Sequence, residues 1–235
     1  MKKAIIAGTS IEQIIDKPFK TYRTDYGEVD AALDGSFVFI LRHRIGHTAA
    51  PHLINYMANA ALLEHFEVDH VITTHAVGSI TERLLPTNIG LVSDFIEFTF
   101  SRPFTFFDGV KRPLRHVPMN DVFDDELRFQ VIRASVERNL RISPALTYIT
   151  TNGPRLESKA EIRAYRSWGA DVVGMTLNPE VNLIHELGIK LCSICFSINW
   201  AAGLDEEGIS FIEGESRKKL TSRVLDIAID ALKNS

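Results

Sequence analysis

Cysteine is almost missing from this chain: 235 residues hold only Cys192 and Cys195, three positions apart in the run KLCSICFSI. Two thiols cannot build a disulfide framework, and a zinc site would need a second pair of ligands that the run does not bring. The surrounding residues are apolar and β-branched, so the segment reads as a buried strand whose positions three apart face opposite ways. A redox pair would instead open a helix, which leaves two small core side chains as the reading. Long apolar runs are missing too. No stretch of 18 apolar residues occurs, and MKKAIIAGTS has only a short one before a polar turn, so no membrane partner and a cytoplasmic location are expected. The formal charge of −4 comes without acidic or basic blocks, which excludes the basic face that a nucleic acid would require. Repeats, low-complexity tracts and linkers are absent as well, and nothing marks a domain boundary.

What is present is the composition of a globular protein, with 45% hydrophobic and 24% charged residues, and a length that fits a single α/β domain over residues 1–235. Compact apolar runs at 3–7, 36–43, 70–79, 89–96, 146–154, 171–176 and 189–198 each fit a core strand. Between them, helical spacing of apolar residues predicts helices over Pro51–Phe66, Asp124–Asn139, Ser158–Trp168, Pro179–Leu187 and Ser216–Lys233. Strands alternating with amphipathic helices imply a central mixed sheet flanked by helices. The stretch Ser101–Asn120, rich in Phe, Arg and Pro, fits neither element; a loop of that length is usually a functional segment or a subunit contact. Ligands of α/β sheets gather beyond the carboxyl ends of strands, where this sequence clusters its polar residues, so one shared pocket is expected there.

Read in order, AGTS, LRHRIGH with PHLINYMAN, TTHAVGSI, RHVPM, TNGPRLES, WGADVVGMTLNPEVNLIHELG and SINWAAG resemble the nucleoside phosphorylase family, in its trimeric branch of methylthioadenosine and purine nucleoside phosphorylases. The resemblance spans nearly the whole chain and implies the phosphorylase/hydrolase-like fold and a homotrimer, with Phe-rich residues 101–107 and His116, Pro118 and Met119 reaching a neighbour. It also implies a phosphate cradle of Thr9, Arg42, His43, the Ala76 backbone N–H and Thr176. A guanidinium fork suits phosphate oxygens on physical grounds alone, although an isolated Arg-His pair is more often a surface arginine and a packed histidine. His75 departs from the family, which often carries threonine there. It leaves two readings open, a phosphate-side group that titrates near neutrality or a packed ring hydrogen-bonded to a neighbour.

The same resemblance puts Met175 under the ribose, Leu156 against the purine ring, and Glu157, Asn199 and Ala201 at the base edge, where methylthioadenosine-specific members carry a small residue and two aspartates. A 6-oxopurine offers an acceptor at O6 and a donor at N1–H. Asn199 can donate to O6 and accept from a protonated N7, and Glu157 can accept N1–H. Adenine mismatches both, and each unpaired buried group costs about 1 to 3 kcal/mol. Asn199 and Glu157 are thus the expected catalytic and base-orienting residues, unless Glu157 only opens the next helix and Asn199 only caps a strand. Near the sugar's 5′ end, Ile209, Phe211 and Ile212 lean apolar, which makes Phe211 a specificity residue and methylthioinosine a substrate candidate beside inosine and guanosine. No metal or organic cofactor is expected; inorganic phosphate is the cosubstrate. The alternatives are a methylthioadenosine phosphorylase, a nucleosidase that attacks with water, and an inactive nucleoside-binding subunit.

Overall fold

In the computed structural model, residues 2–8, 11–205 and 208–235 are described. Strand β1 (Lys2–Ala7) alternates its side chains between two apolar clusters, Ala4 and Ile6 entering one and Ile5 and Ala7 the other. It lies parallel to β4 (Phe37–Leu41) on one side and to β5 (Val68–Ser79) on the other. Beyond β4 come β3 (Gly27–Asp34) and β2 (Lys20–Thr24), both antiparallel. The sequence reading had no strand in this region: charged positions interrupt the pattern, and β2 is an exposed edge strand.

On its other side the sheet curls. β5 pairs with β8 (Val172–Gly174), then follow β7 (Ile142–Thr151), β6 (Ile89–Phe98) and β9 (Lys190–Trp200), which pairs back onto β5 and closes a five-stranded ring. The pairings are parallel except for β2–β3, β3–β4, β5–β8 and β6–β9, so the sheet is mixed. Cys192 and Cys195 are free and buried, each in a different cluster, as strand alternation requires. Burial pushes both thiols up to about 12.

Five α-helices among the described residues cover the sheet. α1 (Tyr56–His65) and α4 (Glu180–Glu186) pack on one face, α2 (Asp125–Glu137) and α5 (Gly214–Lys233) on the other, and α3 (Lys159–Ser167) joins a third cluster. α1 begins later than the expected Pro51, because Asn55 caps it by accepting the Ala58 N–H after a separate 3₁₀ turn at Pro51–Leu53. A capping box of Ser158 and Glu161 starts α3. Residues 101–120 form no helix or strand, yet they are tied down. Buried Arg102 donates to the carbonyls of Met175, Asn178 and Asn152, fastening this loop to the ends of β7 and β8. No helix among the described residues is long and apolar enough to cross a membrane.

Candidate active site

The carboxyl ends of β1, β4, β5, β8 and β9, with the loop after β7, surround a cavity of about 300 Å³. That is the lower end of the size range for small-molecule sites. Arg42, His43, Ala76 and Thr176 line one part of its wall; Leu156, Glu157, Met175, Asn199 and Ala201 line the rest, with Phe211 beside them. Thr9 lies outside the described residues. His75 does not line the cavity; it stands behind the wall.

Arg42 follows β4 directly, and its guanidinium is buried with Glu180, the first residue of α4. Nη2 donates to Oε1 at 2.7 Å and Nε to Oε2 at 2.8 Å. Nη1 donates to the Thr74 carbonyl and Nη2 also to that of Ile6. Four of the five N–H donors are therefore used inside the protein, leaving one on Nη1. The fork that was expected to face phosphate faces Glu180 instead, and one Nη1 hydrogen has no partner among the described residues. Burial pushes the Glu180 carboxyl up while Arg42 pulls it back. Desolvation works against the Arg42 charge, but Glu180 more than offsets it and Arg42 stays cationic.

His43 donates Nδ1–H to the Ala49 carbonyl at 2.8 Å, which leaves Nε2 as an acceptor. Burial, with Arg42 and His47 adding to it against the pull of Ala49, lowers its pKa to about 4, so the ring is neutral near pH 7. His47 lies against it with ring centroids 4.4 Å apart, and burial together with the charge of Arg217 lowers the His47 pKa as well. Arg217 and Thr221, from the first turns of α5, also line the cavity. The sequence reading missed both, because the run ESRKKL looks like a solvated helix face. Glu180 was missed for a similar reason: an acidic residue after Pro179 reads as a helix-dipole contact.

A gap in the sheet opens the cavity to backbone. β5 pairs with β1 as far as Thr73 and with β8 only from Gly78, so its edge between them is unpaired on that side. Arg42 bonds the Thr74 carbonyl in this gap, and strand alternation puts the Ala76 N–H on the same edge. Of the two readings of His75, the geometry matches the packed one. The ring is buried, with Nδ1 at 2.9 Å from Thr176 Oγ1 and Nε2 at 2.9 Å from Thr73 Oγ1. Desolvation, with Arg42 and His43 nearby, holds its pKa well below the usual value.

Glu157, on the cavity wall, is half-buried and accepts from the Thr151 hydroxyl at 2.7 Å. It stands before the helix cap Ser158, outside α3, and its other oxygen is unassigned. Asn199, at the end of β9, uses one Nδ2 hydrogen on the Trp200 carbonyl at 2.7 Å, which is the strand-end role; its second hydrogen and its Oδ1 remain. Gly78 makes room for this amide, since a Cβ there would lie 3.3 Å from Nδ2. Met175 is fixed through its carbonyl by Arg102, and its thioether fills the space that a side chain at Gly153 would take.

The sequence model of the phosphorylase superfamily matches residues 10–233. The chain belongs to that superfamily. This phosphorylase is 37% identical over 221 residues to a 6-oxopurine nucleoside phosphorylase of Pyrococcus furiosus, covering 89% of the chain and 83% of that protein. It is 36% identical over 231 residues to a probable S-methyl-5′-thioinosine phosphorylase of Methanocaldococcus jannaschii, covering 96% and 90%. With an S-methyl-5′-thioadenosine phosphorylase of Pyrococcus horikoshii it shares 38% over 200 residues, covering 82% and 77%. Among solved structures, methylthioadenosine phosphorylase from Schistosoma mansoni in complex with tubercidin superposes with a TM-score of 0.89 at 24% identity, covering all of this chain and 91% of that one. That likeness confirms the single-domain α/β fold with its mixed sheet.

Proposed function

We propose that this phosphorylase cleaves 6-oxopurine nucleosides with inorganic phosphate, giving free base and a ribose 1-phosphate. The observation that carries this reading is that Glu157 and Asn199 line the same cavity as Arg42, Ala76 and Thr176. A carboxylate and an amide at one end match the N1–H, O6 and protonated N7 of hypoxanthine or guanine. At the other end, one Arg42 N–H, the Ala76 N–H and the Thr176 hydroxyl are donors for phosphate.

As the glycosidic bond breaks, charge separates: the ribose becomes cation-like and the base anionic. Hydrogen bonds at N7 and O6 stabilise the leaving base while held phosphate faces the sugar, so both halves are met by fixed groups. In this reading Asn199 serves the leaving base and Glu157 orients it. His43, neutral with Nε2 accepting, suits a phosphate oxygen that carries a proton. Purine salvage in the cytoplasm is the setting this chemistry suits, with phosphate the only cosubstrate required.

Ile209 and Phe211 add apolar wall to the cavity, which supports methylthioinosine as a second substrate. For assembly we propose the homotrimer. Exposed Phe98, Phe100, Phe104 and Trp168 offer an apolar face for a neighbouring copy, and light scattering gives the subunit number directly. The test of the reaction is phosphorus NMR of inosine with phosphate and enzyme: growth of a sugar 1-phosphate signal is expected, and free ribose as the product would contradict it.

A further inference from the structure

A chain of buried polar groups runs behind the cavity wall. Ser193 Oγ lies 2.7 Å from Thr73 Oγ1, Thr73 Oγ1 lies 2.9 Å from His75 Nε2, and His75 Nδ1 lies 2.9 Å from Thr176 Oγ1. Only Thr176 reaches the cavity. The other three residues are sealed, and the edge of the His75 ring is held against the Tyr148 ring at a centroid distance of 5.8 Å.

A neutral imidazole has one donor and one acceptor, so this chain has two self-consistent polarities. In one, Ser193 donates to Thr73, Thr73 donates to Nε2, and Nδ1–H donates to Thr176. The Thr176 hydroxyl, which lies beside the Tyr148 hydroxyl and already accepts from Nδ1–H, can then turn its own hydrogen to the cavity. In the other polarity Nε2–H donates to Thr73, Nδ1 accepts from Thr176, and Thr176 turns lone pairs toward the cavity. An anion there favours the first and repels the second. We propose that His75 is a positioning residue that, as the Nδ1–H tautomer, makes Thr176 a one-way donor to phosphate.

This inference rests on the reading of the cavity as a phosphate site. It also accounts for a histidine at a buried position that touches no substrate: a threonine lacks the span to link Thr73 to Thr176. Arg42, His43, Glu180 and Tyr148 are the charged or titratable groups nearest the ring, Glu180 Oε1 being 3.9 Å from Nε2 and the Tyr148 ring packed edge-to-face.

The experiment has two arms. In steady-state kinetics with inosine and phosphate varied separately, His75→Leu removes the donor and is expected to raise the KM for phosphate about tenfold or more, with the inosine KM nearly unchanged. His75→Asn keeps an N–H at the Nδ1 position and is expected to recover most of that loss. Equal loss in both variants, or no loss in His75→Leu, overturns the proposal. The second arm needs no variant of altered fold: nitrogen-15 NMR of the wild-type protein saturated with inorganic phosphate should give the Nδ1–H tautomer for His75, and the Nε2–H tautomer overturns it. Wild-type enzyme that cleaves inosine equally well without phosphate defeats the proposed function instead, and the tautomer measurement still decides the role of His75.

Discussion

Arg42 and Glu180 form a two-pronged ion pair with both side chains closed off from solvent, at 2.7 Å and 2.8 Å. The pair joins the end of β4 to the start of α4 and turns a mobile cation into a fixed wall of the cavity. Removing one member leaves a buried charge without its partner, which typically costs about 3 to 5 kcal/mol. Glu180→Ala is therefore expected to lose about that much stability in chemical denaturation. Arg42→Met combined with Glu180→Leu is expected to regain much of it while phosphate binding stays weak. Equal instability of the single and double variants would count against a charge-based account.

Asn199→Ala takes away the amide assigned to the leaving base. Loss of one such donor lowers turnover by about 100- to 1000-fold in comparable sites. The fold should survive, because among the described residues the Asn199 side chain bonds just the adjacent Trp200 carbonyl. Rapid-quench measurement of inosine cleavage, with a thermal melt as control, checks this; near-normal turnover in a well-folded variant would remove Asn199 from the mechanism.

Buried neutral histidines make stability depend on pH with a definite sign. His43 has a pKa of about 4 in the folded protein, against roughly 6.5 in an unfolded chain. Between those values the unfolded state binds more protons, so the contribution is fully present above pH 6.5 and is lost as pH falls toward 4. His75, also held well below the usual value by burial, acts in the same direction. His43→Gln should flatten the stability curve in that window, by up to about 1.4 kcal/mol per pH unit. Parallel wild-type and variant curves would contradict the assignment.

Much of this was legible from residue patterns, and the failures have physical causes. The helix over Ser158–Trp168 could be read because Ser158 and Glu161 form a local capping box, and the Cys192/Cys195 segment because strand alternation is a local rule. β2 and β3 could not, since edge strands with charged faces carry no clear alternation. Closure of the ring by β5 and β9 is a long-range pairing with no local signature. Glu157 and Asn199, which only the resemblance singles out, both line the cavity. The fork of Arg42 was assigned to phosphate because nothing in the sequence reveals that Glu180, 138 residues later, occupies it.

Arg217 provides an independent check on the cavity wall. Burial and then Arg217 lower the His47 pKa, while Glu12 raises it. Arg217→Met should move the His47 titration upward in NMR, and Glu12→Gln should move it further down. An unmoved His47 in Arg217→Met would mean that α5 does not approach the histidine pair.

Under the proposed function, selection of an oxygenated purine for attack by phosphate rests on one carboxylate and one amide. Its most direct test is the ratio of kcat/KM for inosine to that for adenosine, with phosphate present, in the wild type and in Glu157→Ala. A wild-type ratio on the order of a hundred or more is expected from two mismatched groups, with most of it lost in the variant. A wild-type ratio near one, or a ratio untouched by Glu157→Ala, would contradict it.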